Sequence, residues 1–64
     1  MYHYIFFKTE AEAKSWQQKH CQGIIFNNLH RSRSKAHYQD CVYRAWKEGN
    51  MAAVIGDYVI SWSD

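Results

Sequence analysis

With 64 residues, a net charge of +2 and no proline, the chain has room for one compact domain and not for a second. Its apolar runs are far shorter than the roughly 20 residues that cross a bilayer, and it does not start like a secretion signal. A cytoplasmic protein is expected, with its two cysteines as reduced thiols. So small a domain buries only about 60% of its unfolded surface, and an aromatic content of 17% is the compensation.

Tyr2 to Phe7 is rich in aromatic and β-favouring residues and reads as a strand. Tyr2, Tyr4 and Phe6 share one face, and His3, Ile5 and Phe7 the other. Both faces are mostly apolar, which suits a central strand or one covered on its second face. Thr9 to Glu12 is a capping box with Thr9 as N-cap. It opens a helix running to about His20 or Cys21, with Ala13, Trp16, Gln17 and His20 inward. Gly23 is the expected C-cap. Ile24 to Phe26 reads as a short strand, parallel to the first through a right-handed crossover.

A basic loop follows. His30, Arg31, Arg33, Lys35 and His37 gather where the second helix starts. A helix N-terminus is partly positive, so cations there do not serve stability. The same place gathers free amides, hydroxyls and guanidinium forks suited to a phosphate or carboxylate. Ser34 or Ser32 is the N-cap. Tyr38, Cys41, Val42, Ala45 and Trp46 recur at helical spacing as the buried stripe, with Trp46 and Tyr38 bringing most of the area. Gly49-Asn50 is the left-handed stop. Met51 to Ile55 and Tyr58 to Trp62 flank Gly56-Asp57 as a hairpin. In the last strand Tyr58, Ile60 and Trp62 take the covered face, and Val59, Ser61 and Ser63 the wet one.

The expected fold is a small α/β (α+β) domain of order β-α-β-α-β-β. It has a mixed sheet of three to four strands, with both helices on one face and the other face bare. An apolar bare face would mark an interaction surface or a homodimer interface.

Specific chemical motifs are missing. His37 and Cys41, with His20 or Cys21, could form a zinc-type set, but no paired-cysteine spacing supports it, and neither a metal nor a cofactor is expected. Four histidines invite an acid–base reading, such as a small nuclease, yet no spacing identifies a base and its nucleophile. Direct nucleic-acid binding has the basic loop in its favour and the modest net charge against it. The favoured expectation is a non-enzymatic protein-binding module. In size and style it suits the inhibitors that phages and other mobile elements direct at host nucleic-acid-handling complexes, anti-CRISPR proteins among them. The candidate contact residues are His30, Arg31, Arg33, Lys35, His37, Arg44 and Lys47, with Tyr2 and Tyr4 as neighbouring aromatics. The partner would be acidic, or a protein surface that itself handles nucleic acid.

Overall fold

The computed structural model describes residues 1–29 and 33–64. The elements run β1 (Tyr2–Phe7), α1 (Glu10–His20), β2 (Ile24–Asn27), α2 (Lys35–Lys47), a 3-10 turn (Met51–Ala53) and β3 (Tyr58–Ser63). The domain is α+β, as expected. Its sheet has three strands in the order β1-β3-β2. Both ladders are antiparallel, with Ile5 and Ile25 each opposite Ile60. β1 and β2 therefore run parallel to each other, but β3 lies between them. The mixed sheet of the sequence reading becomes an antiparallel one.

The expected fourth strand does not form. Both sides of β3 are occupied, by β1 and by β2, so Met51 to Ile55 has no place beside it. Met51–Ala53 makes a single 3-10 turn instead, and Val54 packs against the core. Gly56 is not at positive φ, so no primed hairpin turn exists here. Its lack of a side chain serves another purpose: a Cβ would overlap the Phe7 carbonyl and the Lys8 backbone.

The two helices lie on opposite sides of the sheet. On one side Tyr4, Phe6, Phe26 and Val59 meet Tyr38, Cys41, Val42 and Ala45 of α2. On the other, Phe7 and Trp62 meet Trp16 of α1. The placement of both helices on one face fails for a topological reason. The right-handed rule governs crossovers between parallel strands, whereas α2 joins the antiparallel β2 and β3. Neither face of β3 is wet, since Val59, Ile60 and Ser61 are all buried. The two apolar faces of β1 are explained as well: it is an edge strand with a helix on each side.

The α1 side is built from rings laid one against the next, stacked at both ends of the series and tilted between the two tryptophans. His3 lies on Trp62, Trp62 on Trp16, and Trp16 on His20, with centroids 5.3, 5.0 and 4.2 Å apart. Ala13, fully buried, lets α1 come close to the sheet. Thr9 caps α1 by accepting from the Glu12 amide at 3.2 Å. The helix ends at Cys21, which takes the left-handed conformation expected of Gly23. Gly23 is also at positive φ, and a Cβ there would overlap Ile60 Cγ2. α2 ends as read from Gly49-Asn50. The Asn50 amide donates to Ala45 and the Gly49 amide to Trp46, the paired bonds of a Schellman motif.

Candidate functional site

α2 carries four of the nine candidate contact residues, Lys35, His37, Arg44 and Lys47, and its length separates them. Lys35 and Arg44 are nine residues apart, about 13 Å along the axis. The set thus divides between the two ends of the helix. At the start stand Arg33, Lys35 and His37. His30 and Arg31, with Ser32, lie outside the described residues. At the end stand Arg44 and Lys47, and here the structure brings in Tyr2 and Tyr4 from β1.

At the helix start Ser34 is the N-cap by position, but its hydroxyl does not cap. It accepts from the Asn27 amide at 2.9 Å and donates to the Asn27 carbonyl at 3.3 Å, tying α2 to the end of β2. Arg33 and His37 are exposed and Lys35 is half-buried. The His37 ring stacks on Phe26, with centroids 4.8 Å apart. Among the described residues the ion pairs are His3–Asp64 and Lys14–Glu10, so the cations of α2 and Arg33 are not paired with the chain's own carboxylates.

At the helix end the Arg44 guanidinium lies 4.1 Å from the centre of the Tyr2 ring. The Tyr2 hydroxyl donates to Ser61 Oγ at 3.0 Å, and the Tyr4 hydroxyl to Glu48 Oε1 at 2.7 Å. Burial, then the bond to the Glu48 carboxylate, raises the Tyr4 phenol above its ordinary pKa. Both tyrosines are therefore anchored within the fold rather than standing free.

The main departure concerns Trp46. Helical spacing puts it on the buried stripe, yet it is 63% exposed. The inward position belongs to Ala45, fully buried, and the next residue lies about 100° further round the helix. Trp46 stacks instead with Tyr43, at 5.8 Å and 28°, and Tyr43 is 56% exposed. Lys47 Nζ lies 5.6 Å from the Tyr43 ring centre. The outer face of α2 thus presents two aromatic rings and a cation. Beside them is a shallow hollow of about 570 Å³ bordered by Asp40, Tyr43, Arg44, Lys47 and Glu48. Sequence reasoning passed over Tyr43. Its signal was there: on a helical wheel it falls among Gln39, Arg44 and Lys47, an aromatic on the polar face.

The other candidate chemistries are dispersed. Cys41 is buried under α2, while Cys21 is exposed at the end of α1 on the other side of the sheet. Burial raises the Cys41 thiol pKa, so it behaves as a small apolar residue. The set of His37 and Cys41 with His20 or Cys21 is split by the sheet, and no metal-binding cluster occurs among the described residues. His3, His20 and His37 each lie against an aromatic ring. No helix among the described residues is long and apolar enough to cross a membrane.

The chain matches no protein-family model, no curated protein and no solved structure.

Proposed function

We propose that this chain is a small non-enzymatic protein-binding module of the cytoplasm that docks through the outer face of α2. The carrying observation is the exposed Tyr43–Trp46 stack with Lys47 over Tyr43, on a helix whose opposite stripe is already buried. Tyr, Trp and Arg dominate binding energy at protein interfaces, and Arg44 borders the same hollow. Cations not paired with the chain's own carboxylates favour an acidic partner, with the start of α2 as a second contact. A phage-type inhibitor of a host nucleic-acid-handling complex is the finer reading, and it rests on size and composition.

Direct nucleic-acid binding is the alternative, supported by Arg33, Lys35 and the loop before them. Asp40 and Glu48 beside the aromatic stack weigh against it there, because carboxylates repel a phosphate backbone.

The test is capture of partners from host lysate, with and without nuclease, by the wild type and by a Tyr43→Ala/Trp46→Ala variant. A protein partner that survives nuclease and is lost with the double variant supports the reading. A partner retained by the variant removes the α2 face from the account. Capture abolished by nuclease, with oligonucleotide affinity falling steeply as salt rises, establishes the alternative.

A further inference from the structure

The two outer edges of the sheet are treated differently. In β2 the Asn28 amide donates to Asp57, so residues of even number face β3 and the backbone of Asn27 faces outward. Ser34 occupies both of those outward groups. Only Ile25 then remains on that edge, too little to receive another strand. Closing an edge in this way is how soluble proteins avoid unwanted pairing.

Among the described residues β1 has no such closure. The Asp64 amide donates to the Met1 carbonyl at 3.0 Å, so its odd-numbered residues face β3, and the backbones of Tyr2, Tyr4 and Phe6 face outward. Phe6 is only 3% exposed, so its end of the strand is covered by the chain itself. Along the rest of the edge runs a groove of about 410 Å³. It is lined by Met1 to Tyr4, with Glu48 and Asn50 from the α2 side and Trp62 from the α1 side. Among the described residues β1 pairs with β3 alone. The strand carries no proline and no lysine, the usual guards of an edge.

We propose that Met1 to Ile5 pairs antiparallel with the same stretch of a second copy, joining two sheets into one across a two-fold axis at His3. In that register Tyr2 and Tyr4 of the partner subunit exchange their outward backbone bonds. Met1 comes opposite Ile5 of the partner subunit, which covers two exposed apolar residues of each chain, 86% and 37% exposed. A second copy suits this edge because Met1 and Ile5 cover one another across the axis, and each His3, which meets its own copy there, lies 3.0 Å from Asp64 of its own chain, a carboxylate that offsets like charge at that point. The groove adjoins the hollow on α2 and shares Glu48 with it, but the Tyr43–Trp46 stack lies outside the groove, so the Tyr43→Ala/Trp46→Ala variant keeps every pairing residue and tells the two readings apart.

The experiment compares the wild type, a synthetic chain N-methylated at Tyr4, and Ile5→Lys. Sedimentation is followed from micromolar to millimolar concentration, together with amide exchange at Tyr2 and Tyr4. N-methylation removes an outward donor and leaves the β3 ladder intact, which the amide spectrum verifies. The expected result is a wild-type dimer whose Tyr2 and Tyr4 amides become protected as concentration rises. Both altered chains should be monomers at every concentration. A wild type that stays monomeric, or a dimer indifferent to both changes, overturns the proposal. So does a monomer whose captured partner is lost on N-methylation, since the edge then belongs to a foreign strand.

Discussion

Ser34 shows how one hydroxyl can outweigh a capping rule. A serine before a helix is expected to accept from an amide of the first turn. Here it bridges the backbone of Asn27, holding α2 to β2 and closing that edge at once. Ser34→Ala should cost about 1–3 kcal/mol, because both Asn27 groups lose their partner in a half-buried place. Urea unfolding measures this, and exchange at the Asn27 amide should quicken; a loss under about 0.5 kcal/mol would show the bridge to be dispensable. A second prediction concerns pH. Burial is the leading cause of raised pKa values at Cys41, Tyr38 and Tyr4. The folded state then holds protons that the unfolded state releases. The stability this contributes is complete below the ordinary values of 9.0 and 10.0 and is lost as pH rises through the raised ones. Denaturant midpoints should therefore fall on the alkaline side of pH 9, and Cys41→Ala should flatten the first part of that fall.

At the scale of the element, α2 is narrow where it meets the sheet. Cys41 and Ala45 are fully buried and small, so the helix approaches closely there, and the adjacent Arg44 and Trp46 are turned outward. Two substitutions at adjacent positions should then behave oppositely. Ala45→Leu should destabilise by roughly 1–3 kcal/mol through overpacking. Trp46→Ala should fall within about 0.5 kcal/mol of the wild type, as surface changes do. Equal losses at both positions, measured by urea unfolding, would place Trp46 in the core after all. On the other side Trp16 lies between Trp62 and His20 and also meets Phe7. Trp16→Ala should cost roughly 2–4 kcal/mol, somewhat below a fully buried tryptophan, because the ring is half-buried.

For the whole molecule the decisive quantity is how little interior 64 residues can make. A helix on each side of three strands doubles the covered sheet surface, and aromatic rings fill the second interface. A domain so constructed gains from any further burial, by a partner or by a second copy. Ligand binding stabilises by mass action, about 2.7 kcal/mol at a hundredfold excess over Kd. Thermal unfolding of the wild type should accordingly rise with partner concentration, and the Tyr43→Ala/Trp46→Ala variant should not follow. The basic approach to α2 gives a separate expectation. Arg31→Glu/Arg33→Glu should weaken partner binding several-fold without changing the unfolding midpoint; unchanged affinity would leave the aromatic end of α2 as the whole contact.

The local elements were legible in the sequence because their causes are local. Thr9 with Glu12 starts α1, Gly49-Asn50 stops α2, and the apolar spacing of each segment sets its period. Lys35 and His37 could be read at the start of α2, and Arg44 and Lys47 on its polar face, for the same reason. What β3 would pair with, and on which side each helix would lie, depended on contacts between residues far apart in the chain. Pairing β3 between β1 and β2 removed the fourth strand, made the ladders antiparallel and put a helix on each face. The exposure of Trp46 followed from that packing: with Ala45 against the sheet, a rotation of about 100° carries the next side chain out of the interior.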